Sequence, residues 1–492
     1  MWGLFGSKQP VLPATIPTDE IIPLSPLDDI DYLRSVCLVV THRYDDVLDP
    51  EKLRYALERL VDLPGWRKMG ARLRLNKLGK LEYHVPERYD EKRPGIGYSH
   101  VSYDISINEH PLASRIPRAT EKPTVAADPN EFLDLARSED GPRFFEDYIT
   151  RDVPQLALHI VSFTDATLAS LSFPHTFTDG TGGGHIYRAW SLALQERYDE
   201  IAEFHGYNHD PLAGFGANPT EPYIYADKLL TGWRKWLFLL RQLYLSVRYG
   251  TESRVLCMPG PYLTRLRKQA IEEIRAETGD PNAFVSDNDV LTAWFTQVAM
   301  SDMPRNSNRT IRIMTAFRLL GVVPNKYLPD GKAYVANAVS EVWTFLKARD
   351  IFNKPLSYTA HAIRRSLTEG GTPEQIEALA AIKREASEAT GLILPTIFGD
   401  VTMNMINFTN NTKSKFFETD LSAAIVKEGL PRSTRTTPPG FPSYIQFNAW
   451  SPRFQLRDIL PIMGRDAAGN YWLVGALREN VWSMIDKKLR EA

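Results

Sequence analysis

The segment His175-Thr176-Phe177-Thr178-Asp179-Gly180 brings together residue types that can do acid–base chemistry. Histidine is the side chain whose unperturbed pKa lies nearest neutrality. It can take a proton from an alcohol or amine as that group attacks a carbonyl, and then return the proton to the leaving group. Acyl transfer from a thioester needs little beyond this base, correct positioning and donors for the developing oxyanion. Direct attack by the acceptor requires no serine or cysteine nucleophile. The spacing of His175 and Asp179 makes them neighbours in a tight loop or a helical turn. Asp179 then has two open roles: to orient the imidazole, as in a triad, or to turn away and pin the loop through an arginine. Gly180 and the run Gly182-Gly183-Gly184 let backbone pass close to a ligand or to another chain segment.

The elements around this segment must place it at a strand end. Residues 156–163 and 168–173 are strand-like runs flanking a turn at 164–167, and Ile186, Ala189, Trp190, Ala193 and Leu194 recur at helical spacing. The order strand, loop, helix puts His175 and Asp179 in the loop, where rigid scaffolds often hold reactive groups. Elsewhere, 51–61 and 373–390 read as helices, 310–318, 444–449 and 471–477 as strands, and a closing helix starts near 479. Residues 199–228 read as a linker, and 429–442 as a mobile loop on composition. The segment 229–249 is a basic amphipathic helix. Leu229, Trp233, Trp236, Leu240, Leu243 and Val247 share a face, with Arg234, Lys235, Arg241 and Arg248 supplying charge. Packing of that face on the protein is the first expectation. Contact with a membrane surface, or a lid or partner contact, is the alternative.

Composition narrows the function. The chain has 492 residues, 43% of them hydrophobic, and a formal net charge of -2, which fits a globular protein of two or three cores and gives no broad footprint for nucleic acid. Cys37 and Cys257 match no zinc or redox spacing, and no histidine cluster has metal-ligand spacing, so no metal is expected. Thr181-Gly182-Gly183-Gly184-His185 lacks the lysine of a phosphate-binding loop, and no GxSxG elbow is present. His159, inside a strand run, reads as a hydrogen-bonded core residue, and His185 as a packing or capping residue that could also line the site. No secretory signal or membrane-spanning run is apparent, so a cytoplasmic location is expected, and a monomer is expected as well.

With these residues in view, the chain resembles the BAHD acyltransferases, which share an HxxxD motif, and especially their fungal natural-product members such as trichothecene acetyltransferases. The likeness reaches Ile22–Asp28 (IPLSPLD), Phe284–Ala293 (FVSDNDVLTA), Arg318 in its strand, and Tyr334-Val335-Ala336-Asn337-Ala338, similar to the YFGNA segment. Thr409-Asn410-Asn411 falls where TSW is usual. Asp420 stands where the DFGWG aspartate would, but Leu421-Ser422-Ala423-Ala424 departs from the rest of that motif.

The resemblance implies an α/β fold of mixed sheets: two similar chloramphenicol-acetyltransferase-like domains, 1–205 and 256–492, joined by a crossover over 206–255. A tunnel between them would admit acyl-CoA, acetyl-CoA first among candidates, from one face and a small hydroxylated acceptor from the other, with no permanently bound cofactor. His175 would be the base. Asp179 would pair with Arg318 and hold the loop, with Gly180 and Asp420 as structural support. Thr409 or Asn410 would donate to the oxyanion or, equally, satisfy strand-end backbone. The loss of FGWG also motivates a CoA-independent cyclase or condensation-type reaction, and an idle binding protein is the non-enzyme alternative.

Overall fold

The computed structural model describes residues 12–390, 396–452 and 457–491. A five-stranded mixed sheet contains β1 (Cys37–Tyr44), β2 (Gly97–Ser102), β3 (Ala157–Ser162) and β4 (Thr167–Pro174), with the strand Pro442–Trp450 at one edge. Its order is Pro442–Trp450, β1, β4, β3, β2. Only the β2–β3 pair is parallel. The β3–β4 hairpin is the one that alternation and the 164–167 turn predict, and Phe163 N–H closes it on the Ala166 carbonyl at 2.9 Å. Every residue of β1 is buried, so both faces of that strand are covered.

Two helices close over this core. In α1 (Pro50–Asp62) the Asp49 carboxylate accepts from the Glu51 and Lys52 amides at 3.0 and 3.1 Å, and Pro50 opens the first turn. Leu53, Ala56, Leu57, Leu60 and Val61 form its buried stripe. Each leucine removed from water there contributes roughly 1.5–3 kcal/mol. α2 (Gly180–Leu194) packs beside it, and buried Trp190 donates its indole N–H to the Leu53 carbonyl at 3.0 Å.

The chain then crosses to the second half. Residues 199–228 bury Leu212, Phe215 and Tyr223 against Val342, Ile376 and Phe398, so this stretch is a packed strap rather than a free linker. It leads into α3 (Gly232–Arg248). The expectation that the tryptophan face of this helix packs on the protein is not met. The side facing the protein carries Phe238, 2% exposed, and Arg241, whose guanidinium donates to the Met403 carbonyl and Asn404 Oδ1 at 2.7 and 3.0 Å. Trp233 and Val247 point outward, 73% and 82% exposed. Leu229 lies before the helix and pairs with Phe398.

The second sheet has seven strands. It contains β5 (Thr251–Met258), β6 (Thr310–Arg318), β7 (Val339–Lys347), β8 (Asn404–Asn410), β9 (Ile459–Arg465) and β10 (Tyr471–Arg478), in the order β7, β6, β8, β9, β10, β5, Thr124–Val125. The β6–β8 and β8–β9 pairs are parallel and the rest antiparallel. Helices α4 (Gly260–Thr278), α5 (Asp287–Ala299) and α6 (Leu356–Gly370) build its core with Leu263, Phe295 and Ile363. The 284–293 segment has a local structural reason. Ser286 and Asp289 cap α5 reciprocally, and the fully buried Asp289 also pairs with Arg364.

The two sheets exchange strands across the boundaries expected from sequence. Pro442–Trp450 completes the first sheet on β1, and Thr124–Val125 extends the second on β5. The 429–442 segment is anchored too. Arg435, 3% exposed, pairs with Asp46, 1% exposed, and the Gly440 amide donates to the same carboxylate at 2.9 Å. Local composition suggested mobility because it cannot show a buried ion pair between residues 389 positions apart.

Candidate active site

β4 delivers His175. Its last residue, Pro174, pairs with Cys37, and the His175 amide continues the ladder to the Val36 carbonyl at 2.9 Å. Thr176, Phe177 and Thr178 turn inward and are buried, and Tyr83 donates its hydroxyl to the Thr176 carbonyl at 3.3 Å. His175 itself is half-buried. Its Nδ1 is sealed within the protein and has no partner at good hydrogen-bond geometry, whereas Nε2 is not an enclosed, unpartnered atom. Burial pulls the imidazole pKa below its usual value. Its own backbone, the Asp179 carboxylate and the Thr178 backbone oppose that shift. The ring is therefore neutral at neutral pH, as a base must be.

Asp179 caps α2. One oxygen accepts from the Thr181 and Gly182 amides at 2.7 and 2.9 Å, and the other from the Ala338 amide at 2.7 Å. Among the described residues it makes no hydrogen bond to the imidazole and no ion pair with Arg318. The expected Asp179–Arg318 pair is thus replaced by backbone donors. Three amides already satisfy the carboxylate, one of them from the segment just ahead of β7. Burial raises the pKa of Asp179, and the same amides oppose the rise. Arg318, at the end of β6, instead lines a cleft beside α2.

The segments scattered along the sequence meet at this loop. Asn337 donates its backbone and side-chain N–H groups to Asp28 Oδ1 at 2.9 and 2.7 Å, and its side chain also reaches the His175 carbonyl at 3.0 Å. Asp28 is 2% exposed, and burial pushes its carboxyl well up from the carboxylate range against the pull of Asn337. Residues 22–28, 175–180 and 334–338 therefore form one hydrogen-bonded unit. Asp28, Asn337 and Ala338 were not among the site residues read from sequence, although all three stand in segments that the family resemblance singled out.

Close backbone approach explains two glycines. A methyl group at Gly182 would run into the Val335 carbonyl and the Thr178 hydroxyl, and one at Gly180 into the Asn411 side chain. Asn411 thus lies over the loop. Its neighbour Asn410 is engaged elsewhere: its amide donates to Asn288 Oδ1 at 2.6 Å, and its oxygen accepts from the Thr412 amide at 2.8 Å. Thr409, at the end of β8, is half-buried. Asp420 serves the far end of α2, roughly 20 Å along its axis. There its carbonyl accepts from Ser191 at 2.7 Å and its carboxylate from the Ser422 amide at 2.9 Å.

A cleft of about 330 Å³ opens between α2 and residues 413–420, beginning at Thr181 beside the loop. Arg188, Arg318 and Lys413 face it, and His185 lines it as well. Burial, then the nearby Arg318 and Arg188, lower the His185 pKa. His159 is a core residue, its Nδ1 2.7 Å from the Ser99 hydroxyl. Among the described residues no group of histidine, cysteine and carboxylate side chains is arranged to hold a metal, and no helix is long and apolar enough to cross a membrane.

No family model matches the chain. Curated relatives do. Transcriptional regulator calD of Penicillium decumbens is 60% identical over 491 residues, covering 100% of this chain and 99% of its own. Acetyltransferase sphE of Aspergillus fumigatus is 38% identical, covering 97% and 96%. Acetyltransferase adrJ of Penicillium roqueforti is 36% identical, covering 99% of each. Among solved structures, F. sporotrichioides TRI101 complexed with coenzyme A and T-2 superimposes with a TM-score of 0.66 at 14% identity, over 96% of this chain and 98% of that one. Vinorine synthase does so with a TM-score of 0.58 at 13% identity, over 99% and 97%. These two show the fold, two chloramphenicol-acetyltransferase-like domains built on mixed sheets. The acetyltransferases among the relatives support acyl transfer to a natural product. The chain belongs to the BAHD acyltransferase family, in its fungal natural-product branch.

Proposed function

We propose that the chain is an acyl-CoA-dependent O-acyltransferase that acylates a hydroxyl of a small natural product, a polyketide or terpenoid, with His175 as general base. The observation that carries this reading is the placement of His175. A fixed strand end holds it, Nδ1 is sealed, and burial keeps the ring neutral. In the proposed step Nε2 takes the acceptor O–H proton as the oxygen attacks the thioester carbonyl. The C–S bond of the tetrahedral intermediate then breaks, and the same proton passes to the departing sulfur. The products are an ester and free CoA, with no acyl-enzyme formed. Asp179 is a positioning residue that acts through Ala338 and the first turn of α2. Thr409 is the better candidate for oxyanion donation, since the Asn410 amide is already spent on Asn288. The cations Arg188, Arg318 and Lys413 beside the loop suit an anionic co-substrate, and acetyl-CoA is the first donor to test. Donor and acceptor would reach the ring from opposite faces of a passage between the two domains.

The test is release of free CoA thiol by the purified protein, with a panel of acyl-CoAs and hydroxylated terpenoid and polyketide acceptors. The wild type should release CoA only when an acceptor is present, and His175→Ala should not. Release that survives His175→Ala would remove the base assignment, and no release with any pair would remove the reaction. A second reading has one observation behind it, the regulator name of the 60% identical relative. It predicts that His175→Ala still restores wild-type metabolite levels to a deletion strain, whereas an acyltransferase would fail to do so.

A further inference from the structure

The outward face of α3 is at odds with the rest of the surface. Trp233, Trp236, Leu240, Leu243, Tyr244 and Val247 are each 61–82% exposed and fall within about a third of the helix circumference. Isolated exposed apolar side chains are ordinary, but a continuous stripe of large ones along a 17-residue helix is not. The helix is not loosely attached. On its opposite side Phe238 is buried, Arg241 bonds Met403 and Asn404, and Arg457 donates to the Leu245 carbonyl at 2.8 Å. The protein thus holds the helix by its back and presents the apolar stripe outward.

Charge indicates what covers the stripe. The helix has no acidic residue, and with Arg241 engaged on the protein side it leaves Arg234, Lys235 and Arg248 as its outer cations. A basic helix with tryptophan and tyrosine on the apolar side is suited to the boundary between lipid headgroups and acyl chains. There the indole and phenol rings keep a polar edge wet, and the cations meet anionic headgroups. We propose that α3 docks the protein on an anionic lipid bilayer, lying in the plane of the interface with Leu240 at the centre of the buried stripe. The inference does not depend on the acyl-transfer reading.

The experiment is co-sedimentation of the full-length protein with vesicles of phosphatidylcholine alone or mixed with phosphatidylserine, with tryptophan emission followed in parallel. The wild type should bind the mixed vesicles, shift its emission to shorter wavelength, and release as salt rises. Leu240→Glu with Val247→Glu should weaken partition by roughly tenfold or more. Arg234→Glu with Arg248→Glu should erase the preference for anionic vesicles. All four side chains are exposed, so the thermal midpoint serves as a fold control and should stay unchanged. A wild type that ignores vesicles, or a Leu240→Glu/Val247→Glu variant that binds as well as wild type, would overturn the proposal. So would a wild-type dimer that this variant turns into a monomer, which would make the stripe a contact between copies.

Discussion

The loop 175–180 and the helix α3 are both places where sequence puts chemistry-bearing residues at regular spacing, and the fold treats them in opposite ways. Around the loop the contacts lie within the protein, although His175 Nδ1 and the Thr176 hydroxyl have no partner: Asp179 takes three amides, Asn337 bridges Asp28 and the His175 carbonyl, and glycines admit Val335 and Asn411 at close range. Along α3 one stripe is anchored and the other is largely exposed. The contrast separates residues that the fold needs from residues held ready for something outside it. Substitutions of Asp179 and Gly182 should disturb the protein itself, and substitutions on the outer stripe should not.

The largest effect expected is at His175. His175→Ala should lower CoA release by roughly 10²–10⁴-fold, the usual worth of a general base, with little change in thermal midpoint because Nδ1 has no hydrogen-bond partner to lose. Asp179→Ala should unpair three amides and cost about 2–4 kcal/mol in denaturant unfolding, and should reduce turnover as the loop relaxes. An equally stable Asp179→Ala variant would mean that the amides find other partners. Gly182→Ala should cost about 1–3 kcal/mol through its clash with the Val335 carbonyl. Smaller in amplitude is the pH profile. The neutral imidazole is the active form and burial lowers its pKa, so kcat/KM should persist below pH 6.5, the ordinary histidine value, and fall only in more acidic buffer. An acid limb above that value would show that His175 is charged when free. At the far end of the scale, Leu240→Glu with Val247→Glu should change unfolding free energy by no more than about 0.5 kcal/mol. A larger loss would mean that the stripe has a partner within the protein and that the contrast is false.

The same contrast explains how far the sequence could be read. α1 was legible over 51–61 because its buried face recurs every three or four residues. The β3–β4 hairpin and the loop after it followed from alternation and a polar turn. The partner of Asp179 was not legible. A carboxylate suggests an arginine, but Ala338 contributes a backbone amide, which every residue other than proline carries and no motif advertises. Asn337 and Asp28 were visible as family segments, yet only the fold shows that they converge on one carbonyl. For α3, periodicity defined an apolar face but not its direction, because Phe238 on the other side is apolar as well.

The strand Pro442–Trp450 has a consequence for how the protein comes into being. It pairs with β1 in a register that joins Cys37 to Trp450, so the sheet that carries His175 stays one strand short until nearly the whole chain has been synthesised. At about 5–20 residues per second, β1 waits on the order of 20–80 s for its neighbour. During that time an open edge is exposed to other nascent chains. The first half of the protein is therefore expected to lack a complete sheet when it leaves the ribosome. A chain stopped before residue 442 should aggregate rather than accumulate as a stable fragment.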